Sequence, residues 1–108
     1  MKIIRNNIIP FKGFRAINLF GILFVRKNAR IDDIMVNHEK IHTGQIKEAL
    51  YIFFYLWYGI EFIVHLIRFR NSNIAYRKIS FEREAYAYQN NHEYLDKRKP
   101  YAFLKYLE

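Results

Sequence analysis

Apolar residues come in pairs at the start of the chain and then fall into helical spacing. Ile3-Ile4 and Ile8-Ile9 flank Asn6-Asn7, and Pro10 and Gly13 follow. β-Branched pairs between turn-forming residues predict short strands. Residues 17–25 form a second apolar run, bounded by Arg15 and Arg26, and predict one buried or half-buried strand. Two or three antiparallel strands are expected in the first third.

At Asp32-Asp33 the pattern changes. An aspartate ahead of Ile34-Met35 is a good helix N-cap, because its carboxylate accepts from amides left free in the first turn. From there to about Tyr58 only Gly44 opposes a helix, at about 1 kcal/mol against Ala. Ile34, Ile41, Ile46, Leu50 and Phe53 recur at helical spacings and predict a core-facing stripe. A second helical stretch is predicted over 60–70, with a break near Gly59 and a loop at Asn71-Ser72-Asn73. Ser80 then reads as the cap of another helix, with Glu82 in its first turn and its end near Gln89 and Asn90-Asn91. The tail carries Tyr94, Leu95, Tyr101, Phe103, Leu104 and Leu107, enough to dock a short terminal helix on the body.

With 108 residues there is material for one core, so a single domain over 1–108 is expected. The apolar fraction of 52% and aromatic fraction of 19% supply that core and exclude a disordered chain. The absence of cysteine excludes disulfides, thiolate catalysis and Cys-based zinc fingers. A net charge of +8 is compatible with an anionic neighbour, nucleic acid or a membrane surface, and equally with the plainer reading of a solvated basic surface, which is preferred. The cations are scattered, with Lys97-Arg98-Lys99 the closest cluster, and no nucleic-acid fold signature is present. Nucleic acid is therefore not an expected partner.

No signal peptide is read, since residues 16–25 lack a small-residue cleavage site, and a cytoplasmic location is expected. Residues 49–69 are long enough to span a bilayer, but Glu61 and His65 interrupt them. A buried helix pair is the preferred reading, with association to a membrane surface as its alternative. Glu61 and His65 stand one helical turn apart and predict an internal hydrogen-bonded pair. The aromatic run at 53–58 predicts core, or else a lipid-facing or partner-facing surface.

The chemistry lies in Asn37-His38-Glu39-Lys40-Ile41-His42, which contains HExxH on a predicted helix. Residues four apart share a helix face, so both imidazoles can reach one ion. Glu39, next to the first ligand, is carried beside the site, where it can act as base toward water. The bland alternative makes both histidines ordinary polar helix residues. A tetrahedral zinc site needs a third protein ligand, and His65, His92 and the carboxylates are the available groups.

Two elements together, HExxH and the later Glu82-Arg83-Glu84-Ala85-Tyr86, resemble the gluzincin class of zinc metallopeptidases, in which a second helix carries E-x-x-A-D. The chain is also similar to short bacterial zincin-like proteins reading HExxHxxQ, with Gln45 in the last place. The likeness spans residues 35–91 and rests on these short motifs. It implies Zn2+ as cofactor, held by His38, His42 and Glu82, with Glu39 as the catalytic base. Ala85 would keep the two helices close, while Glu84 would point away. Tyr86 departs from the family aspartate that supports a metal-bound histidine, which leaves that support unassigned. The implied fold is a minimal zincin-like α+β domain. In it a small N-terminal antiparallel or mixed sheet packs on the metal helix, and a following helix carries the third ligand. An edge strand lies beside the cleft, for which 17–25 is the candidate. The implied substrate is a peptide or protein, and His92, Tyr76 and Tyr88 are candidates to steady the oxyanion. Two rival readings are a catalytically idle zinc protein and a basic membrane-surface protein anchored through 49–69.

Overall fold

The computed structural model describes residues 2–8 and 15–107. Ile9, Pro10 and Gly13, expected to end the first strand region, lie outside them. Three strands, β1 (Lys2–Asn6), β2 (Ala16–Leu19) and β3 (Ile22–Arg26), precede five helices. These are α1 (Asp33–Glu48), α2 (Ile52–Phe69), α3 (Ser72–Lys78), α4 (Ser80–Tyr88) and α5 (Tyr94–Lys97), followed by a 3-10 turn at Ala102–Tyr106. The protein is thus a small α+β fold.

The sheet runs β1-β3-β2 and is mixed. β2 and β3 pair antiparallel and β1 pairs parallel with β3, so of the antiparallel and mixed sheets expected the mixed one is found. The apolar run 17–25 is not one strand but a hairpin. Phe20 and Gly21 both take positive φ, 56° and 93°, the backbone of a tight type I′ turn whose twist suits antiparallel strands. A Cβ at Gly21 would come within 3.3 Å of the Thr43 side chain, so the turn also abuts α1 closely. β2 is left as an edge strand. Asn18 ties it to α1, its amide donating to Glu39 O and Thr43 Oγ1, both at 3.0 Å.

Asp32 caps α1 as expected, accepting from Met35 N at 2.7 Å. The helix stops at Glu48, well short of Tyr58. Leu50 and Tyr51 turn left-handed, with φ of 58° and 60°. Leu50 N then donates to Lys47 O and Tyr51 N to Ile46 O, satisfying carbonyls at the helix end. Glycine usually fills such a place, and neither residue is one. α2 then runs unbroken through Gly59, so the break lies nine residues earlier than the sequence predicts. Nor is α2 buried: of its eighteen residues only Phe54 and His65 are. The predicted stripe divides accordingly, with Ile41 and Ile46 in the core and Ile34, Leu50 and Phe53 exposed.

Asn71-Ser72-Asn73 does not form a loop. Asn71 accepts from Ile74 N and starts α3. Ser80 does not cap α4 with its side chain. Its N–H and Oγ both donate to Glu61, at 2.8 and 2.5 Å, and this inward carboxylate from α2 sits at the start of α4. The core gathers around Phe81, whose ring lies 4.5 Å from Phe54 and 4.3 Å from Phe103, with Ile46 and Ile79 beside them. Phe103, from the 3-10 turn, is fully buried, so the tail docks as expected.

Candidate metal centre

α1 turns Asn37, His38, Ile41, His42 and Gln45 inward along one face, toward α4. α4 answers with Glu82 and Ala85, one helical turn apart, and the absence of a larger side chain at the fully buried Ala85 lets the helices approach. Glu82 Oε1 lies 3.1 Å from His38 Nε2 and 3.0 Å from His42 Nε2, and the two nitrogens are 3.1 Å apart. His38, His42 and Glu82 are only 6%, 5% and 4% exposed. These three buried groups lie close enough to bind one metal ion.

The outer nitrogens of both rings are occupied. His42 Nδ1 is 2.7 Å from Gln45 Oε1, and His38 Nδ1 is 2.8 Å from Gln89 Oε1. The orientation of Gln45 is fixed by its other end, whose amide donates to Phe81 O and to Glu84 Oε1 at 3.0 and 2.9 Å. Its oxygen must therefore face the ring, and His42 Nδ1 carries the hydrogen. The Nε2 lone pair is left pointing at Glu82 and His38 Nε2. A lone pair aimed at a carboxylate and a second imidazole requires a cation between them, either a proton or a metal. The 3.0–3.1 Å spacing is that of hydrogen bonds and lies close to the roughly 3.3 Å that zinc bonds of about 2.0–2.1 Å in tetrahedral array set between ligand atoms.

Without metal, the electrostatics favour a shared proton. Burial works against a charged His42, but the Glu82 carboxylate outweighs it and holds the pKa up at about 9. Burial likewise opposes an ionised Glu82. His42, with hydrogen bonds from His38 and Tyr58, keeps it well below the usual carboxylate range. Tyr58 Oη donates to Glu82 Oε2 at 2.6 Å, which leaves Oε1 turned toward the histidines.

Glu39 is half-buried beside the centre, and among the described residues no side chain hydrogen-bonds its carboxylate. Its charge acts on both His42 and Tyr76. Tyr76 is held protonated, chiefly by burial and then by the nearby Glu82 charge, and its hydroxyl meets that of Tyr86 at 3.1 Å. The other two residues considered for the oxyanion are elsewhere. His92 is exposed and lines a shallow cleft with Asp33, Val36, Asn37 and Lys40, around the helix from His38. The Tyr88 ring stacks on Tyr94 at 3.8 Å. Glu84, fully buried, points away from Glu82 and pairs with Arg98, accepting also from Tyr94 and Gln45. His65, considered as a ligand, is buried on α2 with Nε2 3.9 Å from Glu61 Oε1.

Tyr86, the residue four beyond Glu82, packs its ring edge-to-face with that of His38, centroids 4.5 Å apart. The hydrogen bond to that imidazole comes one turn later, from Gln89. Gln89 follows Glu82 by seven residues, two turns along one helix face, so this partner was legible from spacing. Tyr58 was not, since it lies on a different helix and in no motif. No family model, characterised protein or solved structure matches this chain.

Proposed function

We propose that this protein is a zinc-dependent hydrolase of the gluzincin type acting on peptide bonds, built on a minimal zincin-like domain. The observation that carries this reading is the triangle of His38 Nε2, His42 Nε2 and Glu82 Oε1, with sides of 3.0–3.1 Å and glutamine oxygens behind both rings. Two nitrogens and one carboxylate oxygen form a donor set suited to zinc, with a fourth position left for water or substrate. An ion held there acts as a Lewis acid, acidifying water and polarising a carbonyl.

The protein's own groups then have distinct tasks. Glu39 takes a proton from the attacking water on its carboxylate and returns it to the departing amine. Tyr58 and the two glutamines hold the ligands in orientation. Of the three oxyanion candidates, Tyr76 has the support of position, because its protonated phenol senses both Glu82 and Glu39. The edge strand β2 runs beside the metal helix, tied to α1 by the Asn18 amide and to α2 by Tyr55, whose hydroxyl donates to Asn18 O.

The near-complete burial of all three ligands favours a second reading, a zinc site that stabilises the fold without turning over substrate. Elemental analysis of the purified protein and its Glu39→Gln variant, with a peptidase assay on both, separates the two. Stoichiometric zinc in both proteins is expected. Turnover lost only in Glu39→Gln supports the hydrolase, whereas zinc with no turnover in the parent supports the structural site. Absence of zinc from the parent sinks both.

A further inference from the structure

α2 presents two opposite stripes. Phe54, Tyr58, Glu61 and His65 recur at helical spacing on the inner side, and Glu61 and His65, the acid and the histidine of the middle turns, belong to it, while the cation of the helix, Arg68, stands exposed in the last turn. Ile52, Leu56, Ile60, Ile63 and Ile67 recur on the outer side, 66%, 56%, 63%, 56% and 73% exposed. This is the reverse of a helix at the surface of a protein surrounded by water, which turns its charges outward and its aliphatic residues in. The ridge is as long as the helix, about 27 Å at 1.5 Å per residue. It continues past the helix start, where the left-handed Leu50 is 69% exposed. Contiguous apolar surface on this scale marks a contact site.

Charge decides what covers it. Arg68 and Arg70 stand exposed at the C-terminal end of the ridge, and Lys78 reaches over the Phe69 ring from α3. Lys47 stands exposed just before its other end. A second copy of a chain bearing +8 would bring like charges together, whereas an anionic leaflet supplies the opposite sign at headgroup level. The inner stripe is held against the body by Tyr58–Glu82 and Glu61–Ser80, so only the outer face is available and α2 lies along the surface rather than across it.

We infer that the outer face of α2 docks on an anionic lipid bilayer, with its aliphatic ridge in the acyl boundary and its flanking cations among the headgroups. The test is co-sedimentation of the intact protein with vesicles of phosphatidylcholine, with or without about one third phosphatidylglycerol. Binding to the anionic vesicles is expected, weakened about tenfold on phosphatidylcholine alone and weakened again between about 0.1 M and 0.5 M salt. Ile60→Glu with Ile67→Glu alters only exposed positions and should cut partitioning about tenfold or more. Its circular dichroism and metal content should match the parent, which separates loss of docking from loss of fold. The inference is overturned if the parent stays in the supernatant, if the double variant binds as the parent does, or if both vesicle types bind equally. It is overturned too if the parent is a dimer that those substitutions dissociate, because the ridge then belongs to a second copy.

Discussion

Gln45 Oε1 stands 2.7 Å from His42 Nδ1, while the amide nitrogen of the same side chain is committed to Phe81 O and Glu84. The second contact orients the first, because an amide whose nitrogen faces two acceptors has only its oxygen left for the ring. One residue thereby sets the tautomer of the imidazole proposed as a metal ligand and ties α1 to α4.

Gln45→Leu should consequently damage metal binding without touching a ligand. Loss of such an outer partner is worth about 10–100-fold in metal affinity. Leaving Glu84 and Phe81 O without their donor should also cost about 1–3 kcal/mol in the metal-free protein. A chelator competition and a denaturant melt measure the two effects separately.

Glu82→Gln removes the charge that sustains the His42 imidazolium. Burial is then opposed only by the Glu39 charge and the Gln45 hydrogen bond, and the pKa should fall well below about 9. An NMR titration of the ring in the metal-free protein reads this directly. A His42 that still titrates near 9 would break the assigned pairing.

Stability should depend on pH with opposite sign in the two metal states. In the metal-free protein His42 has its pKa raised, so its contribution is complete below 6.5 and disappears as pH rises through about 9. Glu82, with its pKa lowered, contributes fully above about 4.5 and loses that contribution in stronger acid. The melting temperature without metal should therefore decline between pH 6.5 and 9. At fixed zinc it should rise over the lower part of that range, because the ion must displace the proton from His42. Thermal melts across this range, with chelator and with zinc, test the contrast.

Arg98→Ala should be among the most destabilising single changes. The guanidinium binds Glu48 through two nitrogens and also Glu84, which has no exposed surface. Its removal leaves a buried carboxylate without its counter-charge, a loss of about 3–5 kcal/mol. Denaturant unfolding of the metal-free protein provides the measure.

The local signals in the sequence were those with a steric or hydrogen-bonding reason confined to a few residues. Asp32 caps α1 because the geometry of a first turn is local, and HExxH places two imidazoles on one face for the same reason. The convergence of Glu82, forty residues beyond His42, was accessible only through resemblance to a two-helix pattern. The hairpin within 17–25 was marked by Gly21, yet the unbroken apolar run concealed it. Nothing in Leu50 or Tyr51 announces a left-handed turn, since neither residue favours one, so the α1–α2 break could not be read. The outward face of α2 was hidden for a different reason: apolar periodicity reveals a stripe but not which side of the helix meets the protein.

The chain of contacts from His42 through Gln45 and Glu84 to Arg98 also constrains when the centre can be completed. Synthesis delivers both histidines and then Glu82 well before Arg98. Until Arg98 arrives, Glu84 lacks its counter-charge, and the side of Gln45 that faces it rests on a carboxylate not yet neutralised, with Phe81 O as the other hold. An ion taken up by these three groups would thus be gripped best once the C-terminal segment has docked, a seal on a finished fold rather than the seed from which it grows.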